Sequence, residues 1–280
     1  MAATRIRLAG SNDYGDTAYW SGTTLPADTD DARFEVGGDT ITLNLSQPGI
    51  DLNLLYFGPT SRYNVGAEGS PLIIDANNGG AGKVEILGLH EYIYLQAGTG
   101  GTYPIVTHKP ANPSAKLVVT TSVITTLYQI NGQLFLRGTV TGTTANLEGG
   151  FTTQDYASGT AFTTINVRGG QHVISRAFTT LNVYGGTVIL DDGNKGVTFG
   201  VVNQHGGEVI HINGNTGNYN GYAGTYNKSR LAKGTLTQGT FTALPTLKVI
   251  NAKGGVDVTP VGTSYPAGSP DISTGSGAVI

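Results

Sequence analysis

The chain has 280 residues, including 43 Gly, 14 Tyr and a single Trp; 12% are charged and the formal charge is -3. It has no cysteine, which excludes disulfides, thiol catalysis and cysteine-ligated metal. Its 16 basic and 19 acidic residues form no basic run, which argues against nucleic acid as a direct ligand, and no stretch reaches the roughly 18 apolar residues of a membrane span. A solvent-exposed monomer usually carries more charge. Thr, Asn, Ser, Gly and Tyr replace it here, as in proteins that work packed in an assembly.

The opening, MAATRIRLAG, holds no apolar stretch of signal-peptide length, so the protein is expected to be made and released in a cytoplasm. Residues 1–35 read as an N-terminal arm or cap. They contain Trp20 and the turn-forming run LPADTDD, where Pro and Asp interrupt any preceding order. Residues 36–115 hold short β-patterned runs (TITLNL, DLNLLYF, PLIIDA, KVEILGL, YIYLQA) at irregular intervals, and read as irregular β coils or a small β-cap. The Pro-rich KPANPSAK at 109–116 marks the passage to a regular region at 116–258.

A nine-residue unit recurs in that region: ITTLYQING at 124–132, GTTANLEGG at 142–150, FTTINVRGG at 162–170 and FTTLNVYGG at 178–186. A looser copy, VTFGVVNQHGG, follows at 197–207. The starts are 18, 20 and 16 residues apart, too close for a helical-hairpin repeat. Positions four and six supply Ala145 and Leu147, Ile165 and Val167, Leu181 and Val183. They alternate with Asn146, Asn166 and Asn182, the period-two pattern of a strand with one buried face. Gln129 breaks the rule in the first copy. Gly-Gly pairs close every unit but the first, which ends in Asn131-Gly132, as a sharp corner, and a second short apolar run follows.

One coil therefore holds at least two strands, and stacked coils would line Thr and Asn into columns. The predicted fold is all-β: a single-stranded parallel β-helix (β-solenoid) with an irregular N-terminal cap and an extended C-terminal tail at 259–280. An antiparallel sandwich would not require the same nonamer at the same corner. After Ile212 the pattern loosens into NGNTGNYNGYAGTYNKS, read as a long loop or an insertion in one coil. The first segment and the tail are expected to cover the unpaired edges of the stack, or to act as arms pairing with a neighbouring subunit.

The search for chemistry yields no catalytic, cofactor-binding or metal-binding residues. Asp191-Asp192 is the best acidic pair, but neighbours on a strand point to opposite faces. His205, Glu208 and His211 lack the helical spacing of a metal motif. Asp28, Asp30 and Asp31 lack the remaining ligands of a calcium loop. Trp20, Tyr219, Tyr222, Tyr226 and Tyr265 are the partner-contact candidates, the three of the Tyr-rich loop as an exposed recognition surface.

The lone Trp20, then LPADTDD, an alternating strand and coils closed by Gly-Gly resemble, over about residues 15–258, β-solenoid structural proteins of tailed bacteriophages, including those that decorate capsids. The resemblance implies a non-enzymatic virion protein, assembled in the host cytoplasm. Its expected partners are the major capsid protein and copies of itself, with a trimer as the unit; neither nucleic acid, membrane nor cofactor is expected. The alternatives are a tail fibre or spike segment that binds host glycans, with or without cleaving them, and a bacterial surface or biofilm solenoid.

Overall fold

The computed structural model describes residues 3–98, 100–155, 160–191, 193, 197–238, 248–251 and 258–260. The chain divides after Asp155 into two compact units, and each is a parallel β-solenoid.

In the first unit, strands Thr4–Ile6, Asp31–Gly37, Leu54–Ser61, Lys83–Ile86, Thr102–His108, Val123–Gln129 and Thr141–Leu147 pair successively in parallel. A second column runs through Leu72–Asp75, Tyr92–Gln96, Lys116–Thr120, Gln133–Arg137 and Phe151–Gln154. Parallel stacking thus begins with the first strand, inside the segment 1–35 expected to be an arm or cap.

The irregular early coils have a simple cause. Asn64–Val65 and Leu72–Asp75 both pair with Tyr92–Gln96, so two short strands do the work that one does later. A loop separates them; Ala67 and Ser70 close it by exchanging backbone hydrogen bonds at 3.0 Å, and Glu68 on it pairs with Arg137. Leu54 lies 23 residues after its partner Asp31, whereas Thr144 lies only 18 after Thr126.

The cap is residues 7–24. Trp20, 1% exposed, packs edge-on against Tyr14 and Phe34 at 5.2 and 5.5 Å and donates its indole N–H to the Tyr14 carbonyl at 2.9 Å. Arg7 is fully buried beside it. Its guanidinium donates to the carbonyls of Ser11 and Asp13 at 3.0 and 2.8 Å and lies 5.5 Å from the Trp20 ring. Burial pushes the Arg7 pKa down, against the opposing pull of Asp16, Asp39 and Asp13. These two side chains plug the end of the hydrophobic interior, and Phe34 continues it by stacking on Phe57 at 4.5 Å.

In the second unit, Thr160–Val167, Ala177–Val183 and Thr198–Gln204 form one column, joined by the second half of Glu208–Gly221. Gln171–Ile174 and Thr187–Leu190 form the other, joined by the first half of that strand. The nonamer is bent at its Thr pair. Phe178 is buried, Thr179 exposed, Thr180 half-buried and Leu181 buried again, so two successive residues face outward before alternation resumes. Phe162 lies over Phe178 and Ile165 over Leu181, as equivalent positions in stacked coils require.

The two glycines of a corner share one requirement, and the second adds another. A Cβ on Gly185 would sit 2.6 Å from the Arg168 carbonyl of the neighbouring coil, so close backbone approach demands glycine there. Gly186 meets both: its Cβ would lie 2.7 Å from the Gly170 carbonyl, and its φ of +75 is a conformation that favours glycine.

The segment after Ile212 corrects the expectation of a loop. It is strand through Gly221 and again over Thr225–Gln238, in parallel register with its neighbours. Its inward positions are Asn213, Thr216, Tyr219 and Tyr226 in place of aliphatic residues. The interior stays filled while the hydrophobic period disappears. Residues 261–280, including Tyr265 and nearly all of the expected tail, lie outside the described residues.

Candidate interaction surface

Two side-chain rows stand on the outside of the second unit, both fixed by strand alternation after a buried residue. Following Ile165, Leu181, Val202 and Tyr219 come Asn166, Asn182, Asn203 and Asn220. Asn182 donates to Asn166 at 2.9 Å, Asn203 to Asn182 at 2.9 Å and Asn220 to Asn203 at 2.8 Å, an unbroken one-way amide ladder. The column expected from the repeat is there, and its amides hold the coils in register.

Two residues further on, just before the glycine corner, stand Arg168, Tyr184, His205 and Tyr222. The Tyr184 and His205 rings stack at 5.0 Å and 9°, and His205 and Tyr222 at 4.7 Å and 3°. The Arg168 guanidinium lies 5.8 Å from the Tyr184 ring. Tyr184 is 49% exposed. Because the stacked faces cover one another, the row offers ring edges, phenol hydroxyls and imidazole nitrogens, not a flat platform for a sugar ring.

The sequence candidates fall in different places. Tyr222 is in this row. Tyr219 and Tyr226, each 1% exposed, face the interior with ring centres 4.0 Å apart, so they correct the expected exposed loop. Trp20 is likewise interior, held by the cap. All three are buried for one reason: a large ring at an inward position is the side chain that fills the coil. Tyr184, His205 and Arg168 escaped the sequence search. Aligning the position just before each Gly-Gly pair would have found them.

The acidic groups are engaged with backbone and amides. Asp191 accepts from the Gly193 N–H at 2.9 Å and from Asn213 at 2.8 Å, and Glu208 accepts from Asn227 at 2.8 Å. Asp28 accepts from the Asp51 N–H, Asp30 from the Ala3 N–H, and Asp31 pairs with Arg33 at 3.0 Å. His205 points out into the stack while His211 is fully buried against the Tyr226 hydroxyl at 2.9 Å, so the two do not converge. Among the described residues no group of three or more His, Asp or Glu is placed to hold a metal ion.

The inward polar groups serve the corners. Gln129, fully buried, donates to the carbonyls of Asn131 and Gly132 at 2.8 and 3.1 Å and accepts from His108 at 2.7 Å, so His108 carries its proton on Nδ1. His172 is fully buried and donates to the Gly169 carbonyl at 2.6 Å. Desolvation pushes His108 and His172 down to about 4. It pushes His90 to about 3, with His108 adding to the effect. These histidines are neutral interior residues.

In the first unit a shallow groove of about 340 Å³ lies among Arg62, Asn64, Leu89, Glu91 and Asn112. Its amides are already committed: Asn64 accepts from the Glu91 N–H at 2.8 Å and Asn112 donates to the His90 carbonyl at 3.2 Å. No protein-family model, curated protein or solved structure matches the chain.

Proposed function

We propose that this chain is a non-enzymatic structural protein of a tailed-phage virion, a capsid decoration protein that docks on the major capsid protein and on copies of itself, with a trimer as the unit. The observation that carries the reading is the pre-ordered exterior of the second unit. Its Asn and aromatic side chains are already locked to one another, so a partner docking there would immobilise little that is free. Weak contacts repeated over a lattice then hold through high effective concentration. The carboxylates described above are engaged in capping and pairing, which supports a docking role over acid–base chemistry.

The test is cryo-microscopy of intact particles combined with quantitative gel analysis of purified virions. The reading requires density for this fold at capsid lattice positions and a band among the most abundant. A scarce band with density at the tail supports the second reading, a fibre or spike segment that binds host glycans; the observation favouring that one is the line of exposed hydroxyls and ring nitrogens from Tyr184 to Tyr222. An oligosaccharide cleavage assay separates its binding form from its hydrolytic form.

A further inference from the structure

The sequence contains four Asn-Gly pairs, at Asn78, Asn131, Asn213 and Asn220. Such pairs share one chemistry. The glycine amide nitrogen attacks the asparagine Cγ, the bond from Cγ to the side-chain nitrogen breaks, and ammonia leaves. The resulting succinimide takes up water and opens to aspartate or isoaspartate. The step needs an accessible glycine N–H and a backbone free to bring that nitrogen onto Cγ.

The structure separates the four. Gly221 ends the strand Glu208–Gly221 in register with neighbouring coils on both flanks. Gly214 in the same strand pairs with Ala232 and is crowded by Phe199, 2.7 Å from a Cβ placed on it, so closing a five-membered ring at either would break the stack. Gly132 is walled in: a Cβ on it would meet Pro110 at 2.6 Å and the Ala115 carbonyl at 2.9 Å. Asn78-Gly79 stands in an exposed turn. Nothing lies within 4 Å of a Cβ placed on Gly79 or Gly80. The neighbouring N–H groups of Asn77 and Asn78 are held by Asp51 at 2.6 and 2.8 Å, but among the described residues none accepts from the Gly79 N–H.

We propose that Asn78-Gly79 is a site of spontaneous covalent modification, at which the folded protein converts Asn78 to aspartate and isoaspartate. The position has a structural consequence. Asn78 donates to Asn53 at 3.0 Å and Asn53 donates to Asp31 at 2.7 Å, so this ladder runs one way, toward an acceptor. Conversion replaces the donor at its end by a carboxylate facing the Asn53 carbonyl oxygen. It also adds a negative charge beside Asp51 and, in the isoaspartate, a methylene in the main chain of the turn.

The test is peptide mapping by mass spectrometry of the intact chain, aged at mildly alkaline pH, in buffer and in urea. Folded protein should convert Asn78 at least about tenfold faster than each of the other three, the three being protected by their fixed backbones. In urea the four rates should draw together. Gly79→Ala should slow the folded-state conversion about tenfold, because a side chain obstructs the attack. Asn78→Asp, a second variant, should lower the unfolding midpoint of the first unit. Equal rates in the folded chain, or an Asn78 that stays intact when folded and converts only in urea, would overturn the proposal.

Discussion

The side-chain amide of Gln204 reaches from inside its coil to the carbonyl of Gly207, at 3.0 Å, and also to that of Thr225, at 3.0 Å. The corner carbonyls of Gly207 and Gly132 each accept one backbone N–H from the next coil, from Thr225 and Phe151 at 2.9 Å, and a buried amide at the last inward position supplies a second bond. Gln129 serves Gly132 in the same way in the first unit. Leu147 occupies the register position next to Gln129, so an apolar side chain fits there, and the glutamine is a hydrogen-bonding requirement. Gln204→Leu and Gln129→Leu should each cost about 1–3 kcal/mol, the range for leaving a buried polar group unpaired, because the Tyr219 hydroxyl loses its acceptor in the one and the His108 Nδ1–H in the other. Urea unfolding reads this as a lower midpoint at unchanged slope; an unchanged midpoint would mean that water replaces the amide.

Thr121 carries φ +41, a left-handed conformation that a β-branched residue adopts at a cost of about 1–2 kcal/mol. The same corner one coil later uses Gly138, φ +61, whose Cβ position lies 3.0 Å from the Thr121 hydroxyl. Thr121→Gly removes the strain and returns about 0.5–1 kcal/mol of backbone entropy to the unfolded chain. The strain outweighs the entropy, so the variant should be more stable by up to about 1 kcal/mol. Gly138→Thr should move the other way. Paired thermal melts check both signs.

The repeat made the solenoid, its parallel register and the Asn column legible, because stacking like on like is what a recurring nonamer with a fixed corner requires. Three features were hidden. The coil through residues 213–226 fills its interior with Tyr219 and Tyr226 in place of Leu or Val, so the alternation that marks a strand vanishes although the strand remains. Trp20 reads as a contact residue because it stands alone in a segment without periodicity; burial of the cap depends on Arg7 and Phe34, which are distant in sequence or ordinary by pattern. The aromatic row needed a comparison of one corner position between coils, since Arg168, Tyr184 and His205 share no residue type.

Acid should destabilise the fold well before carboxylates titrate. His90, His108 and His172 are held near 3, 4 and 4 by burial, whereas an unfolded histidine sits near about 6.5. Between those values the unfolded chain binds protons that the native chain refuses, so stability falls as pH falls from about 6.5. The slope is about 1.4 kcal/mol per pH unit for each histidine, and it flattens below about 4. At pH 5 the two in the first unit together cost about 4 kcal/mol and His172 costs the second unit about 2. Asp75 works against this trend, because desolvation, with Asp51 nearby, raises its pKa and favours its neutral form. Urea midpoints from pH 7 to pH 4 should drop accordingly, and His172→Gln, which keeps a donor for Gly169, should flatten the profile of the second unit. A flat wild-type profile would show that these rings are already hydrated in the folded state.

The cap decides whether the first coil is an end or a sticky edge. Trp20 fills the space over Phe34 and anchors the Tyr14 carbonyl, while Arg7 behind it draws the 11–16 backbone into place. Trp20→Ala removes the largest side chain of the plug and leaves the Arg7 guanidinium with Tyr19 as its remaining ring neighbour. The expected loss is about 3–5 kcal/mol, as for other fully buried tryptophans. With residues 7–24 loosened, the strand Asp31–Gly37 keeps only the three-residue partner Thr4–Ile6 along its outer edge, and unpaired strand groups there are free to join another chain. The variant should therefore associate as protein concentration rises, which light scattering detects. If Trp20→Ala melts within a degree or two of the parent and stays monodisperse, the first coil closes itself and the segment 7–24 is an ornament on a stack already complete.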